Sequence, residues 1–442
     1  MTESTLIKNA LIVTADEQNK IHENASILIE GNKIAAIGEV SKKPDLIIDA
    51  SGCIAIPGLI TAHTHLYGIL LRGATLNIEP PTDFAQVLQR VWWPVDEALT
   101  VKDAEASALS ASADMIRNGS TFFADTYSGP NSIEGSLDAI AKSTEKIGIR
   151  SLLAFEMTER NNPGEAERGL KENIQFAKRC NDLSGLTSAM MSLHASFTVE
   201  DELVVKAATE AKKLGMPLTI HTSEGLVDLY HNLERWGERT VERLDRLGLL
   251  GSNTILAHCV HVNDNELELI AKTRTSVAHN PMSNMLNAVG TAPILKMLKM
   301  GINVGLGNDG WIFDPFENIR CALTVHRLEY RNPSAMQPDT VFKMATLEGA
   351  KCYGLEDRIG SLEVGKLADI VIIDASRSPT PVNSSSVIGH LVNTFSGRDV
   401  RDVMIDGELV LKDRKITRIS DQEVADISKQ SAKELWKRLD EK

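Results

Sequence analysis

The chain has 442 residues, 43% of them apolar and 24% charged, enough to bury a large core and about the length of a barrel with an added module. With 47 basic against 60 acidic side chains the formal net charge is −13, which excludes the basic face that phosphate backbones require, so no nucleic-acid partner is expected. Five scattered cysteines, odd in number and never in a C-x-x-C pair, exclude a disulfide framework or a zinc finger and read as reduced thiols of a cytoplasmic protein.

The opening MTESTLIKNALIV lacks a basic segment ahead of a long apolar one, and no apolar run approaches the roughly 18 residues of a membrane span. Neither a signal peptide nor a membrane partner is expected. Thr5–Thr14 alternates with period two, Ser26–Glu30 and Lys33–Ile37 flank a Gly31-Asn32 turn, and Leu46–Asp49 follows Pro44; these read as a hairpin-rich β module over 1–56. From 57 to 360 short apolar strands alternate with amphipathic helices. The strand candidates are Ile54–Ala62, Thr121–Thr126, Ser151–Met157, Ala189–Ala195, Pro217–Thr222, Thr254–His258, Thr275–His279 and Ile302–Asp309. Helices are expected between them, Asp201–Leu214 and Trp236–Leu247 among others. Eight β/α units favour a closed (β/α)8 barrel, although periodicity alone does not separate it from an open doubly wound sheet. Over 361–442 the β texture returns. Leu367–Asp374 is a strand run, and Val400–Ile405 and Glu408–Leu411 flank Asp406-Gly407. The two ends thus form one β-sandwich module, followed by a helix over Ser420–Lys442 with Ser420 as cap and Glu423 three residues on.

Polar residues fall where these strands end. His63 and His65 close strand one, and His194, His221, His258, His279 and Asp309 close strands four to eight. In a (β/α)8 barrel these ends open onto one face, where active sites are built. A lone histidine is more often a satisfied core or surface residue; six arriving at one rim reverse that reading. His63-x-His65 puts two imidazoles on one side of a strand, within reach of one ion.

The setting of that pair, Pro57-Gly58-Leu59-Ile60-Thr61-Ala62-His63-Thr64-His65, resembles the opening signature of the amidohydrolase superfamily, and the later residues resemble its deaminase/chlorohydrolase branch. The likeness runs through Gly360–Ile370 and so covers essentially the whole chain. Several segments, Arg90–Pro94, Ser192–Thr198, His279–Met285 and Gly305–Gly310, are closest to SsnA-type aminohydrolases, and the chain is also similar to methylthioadenosine/S-adenosylhomocysteine deaminases. The resemblance implies one divalent metal ion, Zn2+ ahead of Fe2+, on His63, His65, His221 and Asp309. It implies Glu224, in the run His221-Thr222-Ser223-Glu224, as proton shuttle. By itself Glu224 is also compatible with an ordinary helix N-terminal acid. The resemblance further implies His258 and Asp309 as the residues that orient the attacking water, and His194 as a substrate contact. His261 and His279 are equally compatible with packing roles.

Two departures stand out. Where the methylthioadenosine/S-adenosylhomocysteine enzymes continue past the strand-eight aspartate with a G-A-A-S-N-N-like stretch, this chain reads Gly310-Trp311-Ile312-Phe313-Asp314-Pro315. Where some of them carry an arginine on strand three, the position here is Phe155, with Arg160 and Arg168 close by as replacements. Trp92 and Phe155 are candidates to hold a flat ring, together with Trp93, Trp311 and Phe313, of which about half are expected to be core. The expected function is hydrolytic deamination of an amino-substituted heterocycle, an adenosyl or purine compound being one class. The alternatives are loss of chloride or an alkylamine from a triazine-like ring, or a barrel that only binds. The resemblance also implies a homo-oligomer.

Overall fold

A computed structural model describes residues 4–180 and 185–441; Met1–Glu3 of the opening stretch and Lys442 of the expected C-terminal helix lie outside the described residues. Eight parallel strands follow one another around a barrel: Leu59–Thr64, Ser120–Tyr127, Arg150–Met157, Met191–Ala195, Leu218–Thr222, Thr254–His258, Ser276–His279 and Val304–Leu306. A parallel bridge between Thr64 and Asp309 brings the exit of the eighth strand back to the first. Helices follow the strands, as the β/α alternation of the sequence requires.

The side-chain period of two sorts these strands into an inner and an outer set. Ile60, Ala62, Phe122, Ala124, Leu152 and Ala154 face one another in a cluster inside the barrel. Tyr353, following the helix Leu347–Lys351, joins that cluster and donates its hydroxyl to the Ala62 carbonyl at 2.6 Å. The alternate residues Phe123, Leu153, Leu193, Ile220, Leu256 and Val277 belong to the large core between strands and helices.

The chain ends build a second, nine-stranded sheet, in the order Lys415–Ile416, Glu408–Lys412, Val400–Ile405, Ile370–Asp374, Cys53–Pro57, Ser4–Val13, Ile21–Glu30 and Lys33–Gly38, with Leu46–Asp49 paired to Ser4–Val13. Its two hairpins, expected separately from Gly31-Asn32 and Asp406-Gly407, meet. Asn32 donates to the Asp406 side chain at 3.3 Å, and a Cβ on Gly407 would lie 2.4 Å from the Gly31 carbonyl oxygen, so only glycine fits there. The sheet therefore curls on itself, enclosing Ile7, Ile27, Ala55, Ile370, Ile372 and Met404.

Four expected elements differ; in Ala189–Ala195, Ala189 ends a short separate strand, Thr187–Ala189, and only Met191–Ala195 is the barrel strand. Ile54–Ala62 is two strands in two sheets, broken at Pro57-Gly58; Gly58 lies so close to Thr121 that a Cβ would sit 1.9 Å from its hydroxyl. The helix expected over Trp236–Leu247 is Leu226–Trp236 and Thr240–Arg246, separated at Gly237, whose φ of 69° ends the first. The eighth strand spans only Val304–Leu306, and Asp309 follows it in a loop. Ser420 caps the last helix, Asp421–Asp440, accepting from the Glu423 amide at 3.1 Å. That helix packs on the barrel helix Val101–Arg117, and the Trp436 indole N–H bonds the Leu70 carbonyl at 2.8 Å.

Candidate metal centre and its pocket

The first strand changes register against the second between Thr61 and Thr64, so the simple alternation that puts Ile60 and Ala62 inside is broken and both His63 and His65 reach the barrel axis. His221 stays in phase, since Leu218 and Ile220 face the helices. His258 ends its strand with φ 72°, followed by Cys259 at 51°; Ser223 and Asp309 are also left-handed, at 48° and 57°. Each such non-glycine residue costs about 1–3 kcal/mol, strain that gathers at functional sites.

The donors converge tightly. One nitrogen each from His63, His221 and His258 and one Asp309 oxygen lie within 4.8 Å of one another. His65 Nε2 is 3.1 Å from His221 Nε2 and 3.2 Å from Asp309 Oδ1, and His63 Nε2 is 3.9 Å from the same oxygen. His65 Nδ1 lies 2.8 Å from the Thr126 carbonyl and His221 Nδ1 2.7 Å from the His194 carbonyl. A carbonyl only accepts, so both Nδ1 atoms carry the proton and, in the neutral rings, two Nε2 lone pairs face each other. The buried His63 Nε2 has no hydrogen-bond partner. Burial works against protonating His65, but the Asp309 and Glu156 carboxylates outweigh it and raise its pKa. Lone pairs aimed at one point beside a carboxylate fit a divalent cation, and three imidazoles with one carboxylate suit Zn2+ or Fe2+.

Glu224 follows the fifth strand on a loop held by Asp228, whose carboxylate accepts the Ser223 amide at 2.5 Å and the Ser196 hydroxyl. Its Oε2 lies 3.6 Å from His258 Nε2. Burial, and then the Asp309 charge, raise the Glu224 carboxyl well above the usual range. Burial lowers His258 to about 4. For Asp309 burial acts upward, but His65, His258 and His221 together hold its pKa down. One segment, Asn280–Asn287, steadies all three. Ser283 donates to Asp309, Asn284 bonds His258 Nδ1 at 2.8 Å, and Asn287 donates to Glu224 at 3.3 Å.

Above these groups lies a pocket walled by Phe84, Leu88, Trp92, Trp93, Tyr67 and Phe197. Trp92 contributes from a π-helical turn, Leu88–Trp92, just before Pro94, and packs edge-on to Tyr67 and Trp311. His194 lines the pocket, its Nδ1 2.7 Å from the Thr198 hydroxyl.

The other expected contacts lie elsewhere. Phe155 shares the outer phase of Leu153 and packs on Tyr127 and beneath Gly169, behind the barrel wall. Arg160 does not line the pocket. Its guanidinium is buried against the Asp96 carboxylate at 2.6 Å and over the Trp93 ring, and Asp96 faces the pocket. His279 follows the outer phase of Val277 and meets His326 of the helix Pro315–Glu329, Nε2 to Nε2 at 3.1 Å. His261 is half-buried beside Val289. Among the residues that sequence reasoning missed is Glu156. It is 1% exposed, continues the inner phase of Leu152 and Ala154, and lines the pocket.

Comparison with known proteins agrees with this geometry. The family model described as "Amidohydrolase family" matches residues 54–410. A 5'-deoxyadenosine deaminase of Methanosarcina mazei is 35% identical over 440 residues, covering 98% of this chain and 99% of that protein. A 5-methylthioadenosine/S-adenosylhomocysteine deaminase of Carboxydothermus hydrogenoformans is 35% identical over 428 residues, covering 95% of each. Among solved structures, an adenosine deaminase from Xanthomonas campestris with bound zinc superposes with a TM-score of 0.89 at 25% identity, covering 98% of both chains.

Proposed function

The chain belongs to the amidohydrolase family, as a hydrolase of non-peptide C–N bonds, and we propose that its reaction is the hydrolytic deamination of an adenosine-type compound. The observation that carries this reading is Glu224: a buried carboxyl of raised proton affinity, outside the ligand cluster, beside His258 and facing an aromatic-walled pocket. A divalent ion on His63, His65, His221 and Asp309 would supply Lewis-acid chemistry, lowering the pKa of a water toward neutrality. Glu224 takes a proton from the attacking water and delivers it to the heterocycle. His258 and Asp309, 3.8 Å apart, hold the attacking oxygen in line. The oxygen adds to the ring carbon bearing the amino group; its remaining proton passes through Glu224 to the amino nitrogen, the C–N bond breaks, ammonia leaves and the ring carbon keeps the oxygen as a carbonyl. A raised carboxyl pKa is the direction a group needs in order both to accept and to return a proton near neutral pH. Burial under Trp92 and Phe84 excludes bulk water and offers ring faces to a flat base.

The pocket also favours an uncharged group at the nucleoside 5' position. Its described lining includes Asp96, Glu156, Glu224, Asp228 and Asp309 and no lysine or arginine; Arg160 lies behind Asp96, which it holds through Nη2 alone. The amino-acid carboxylate of S-adenosylhomocysteine therefore meets no lysine or arginine in that described lining. The test is ammonia release from 5'-deoxyadenosine, 5'-methylthioadenosine, adenosine, S-adenosylhomocysteine and guanine, with metal content measured in parallel. The neutral adenosyl compounds are expected to exceed S-adenosylhomocysteine by at least tenfold in kcat/KM. Glu224→Gln is expected to keep about one metal per chain and lose about 1,000-fold or more in kcat, the scale of a lost proton-transfer group. Full turnover by that variant on a confirmed substrate would sink the assignment.

A further inference from the structure

The C-terminal helix Asp421–Asp440 packs on more than the barrel helix Val101–Arg117; it also touches two short segments that build the pocket wall. One is the helical turn Leu66–Leu71, which leaves directly from His65 and carries Tyr67 into the pocket. The other is the helix Trp93–Ala98, which carries Trp93 and Asp96. Inside the pocket the Tyr67 hydroxyl and the Asp96 carboxylate face each other, so the two segments meet at the front.

The C-terminal helix holds the same two segments from behind. The last carbonyls of a helix have no partner within it, and here it supplies one for each. Trp436 donates its indole N–H to the Leu70 carbonyl at 2.8 Å, and Arg438 donates Nε–H to the Ala98 carbonyl at 2.9 Å. The Arg438 Nη2 also bonds Asp103, 1% exposed, whose carboxylate accepts the Thr100 amide at 2.9 Å and the Thr100 and Ser431 hydroxyls, each at 2.6 Å. Thr100 and Asp103 form the capping box that starts Val101–Arg117, so the guanidinium sits on the joint from which Trp93–Ala98 departs. Neither Trp436 nor Arg438 is among the described residues that line the pocket. We propose that Trp436 and Arg438 are positioning residues: the C-terminal helix pins the Tyr67 segment and the Trp93–Asp96 segment at one separation, and so sets the fit of the pocket wall to the substrate. Small displacements of such supports are felt in binding, because wall residues contribute only when held in place. For its substrate this assignment rests on the deaminase reading above.

Trp436→Phe keeps a ring and removes the N–H. Arg438→Met keeps the stem and removes every donor, and Arg438→Lys keeps the charge and one donor group. Arg150→Met, at the opposite end of the barrel against Asp369, controls for general destabilisation. Each purified holoenzyme is measured for metal content and for ammonia release from 5'-deoxyadenosine and adenosine, well below its Tm. In Trp436→Phe and Arg438→Met, KM is expected to rise about tenfold with kcat within about twofold and about one metal per chain, the split that marks lost fit with the chemistry intact. Arg438→Lys should fall between, and Arg150→Met should keep the wild-type KM. Amide exchange read by mass spectrometry should quicken over Leu66–Leu71 and Trp93–Ala98 in the first two variants and not in Arg150→Met. Should Arg438→Met fail to fold, Trp436→Phe decides. An unchanged KM overturns the proposal, as does the same rise in Arg150→Met, or a loss of metal and kcat together, which would place the effect at His65. If wild type releases ammonia from neither compound, the deaminase reading has failed; unchanged exchange over both segments would then still overturn the positioning role, and faster exchange would support it.

Discussion

Replacing Arg150 by methionine should unlock the chain-end sheet from the barrel without touching the chemistry. Arg150 opens the third barrel strand, 6% exposed, and grips Asp369 with Nε and Nη2, each at 3.1 Å; Nη2 also reaches Asp406 at 3.1 Å. Asp369, itself 3% exposed, additionally accepts the Asp406 amide at 2.8 Å, so one buried carboxylate holds the barrel wall and the Asp406-Gly407 hairpin together. Methionine fills similar volume but strands that carboxylate without a counter-charge, which costs about 3–5 kcal/mol. Unfolding entropy of about 2.1 cal/mol/K per residue over 442 residues is roughly 0.9 kcal/mol/K, so the loss reads as a drop of about 3–5 °C in Tm. Chemical denaturation followed by circular dichroism gives the same quantity from midpoints. Adding Asp369→Asn to Arg150→Met removes the stranded charge and should recover more than half of the loss, a coupling that a double-mutant cycle reads directly. Activity should stay within about twofold, because Glu156 is six residues, or about 20 Å, further along the same strand. A single variant that costs under about 1 kcal/mol, or a double variant no better than the sum of the singles, would refute the argument.

The buried pair His279 and His326 predicts acid sensitivity. Burial lowers His326 to about 4 from an ordinary 6.5. Between those values the unfolded chain binds a proton that the folded one refuses, so stability falls as pH drops through this window, by about 3 kcal/mol in all. Denaturation midpoints measured from pH 7 to pH 4 should decline less steeply in His326→Asn; identical slopes would remove His326 as the cause. Phe155→Ala should cost about 3–5 kcal/mol, as for a large buried side chain, and leave KM unchanged in the folded fraction. A raised KM would return Phe155 to the pocket.

Why some site residues were legible and others were not comes down to strand phase. Eight strands and their ends are visible as apolar runs punctuated by polar residues, and that criterion alone collects His63, His65, His194, His221, His258 and Asp309. It also collects His279, which a second criterion rejects. In a barrel, residues of one parity fill the narrow interior and tend to be small or to end in function, while the other parity meets the helices and is large and apolar. On the seventh strand Val277 faces the helices and Ala278 the interior, so His279 must turn outward, as its contact with His326 requires. On the third strand, Leu152 and Ala154 inside make Glu156 the inward residue and Phe155 the outward one. Strand parity alone thus assigns Glu156 to the pocket and Phe155 to the layer behind it.

Parity fails, however, at two of the residues that matter most. His63 follows Ala62 directly, yet both are inside, because the register shift between Thr61 and Thr64 intervenes. His258 has the parity of the outward Leu256 and reaches the centre on a left-handed backbone at φ 72°. No local propensity announces either feature; each is imposed by the neighbouring strands and by the Asn280–Asn287 segment that clamps His258 and Asp309. The candidate donor cluster is therefore assembled where the regular strand pattern is broken, and Glu156 where it is kept. Irregular backbone concentrates three imidazoles and a carboxylate at one point, which the pleat alone would splay to opposite faces. The regular strand needs only to deliver one acceptor to the pocket wall.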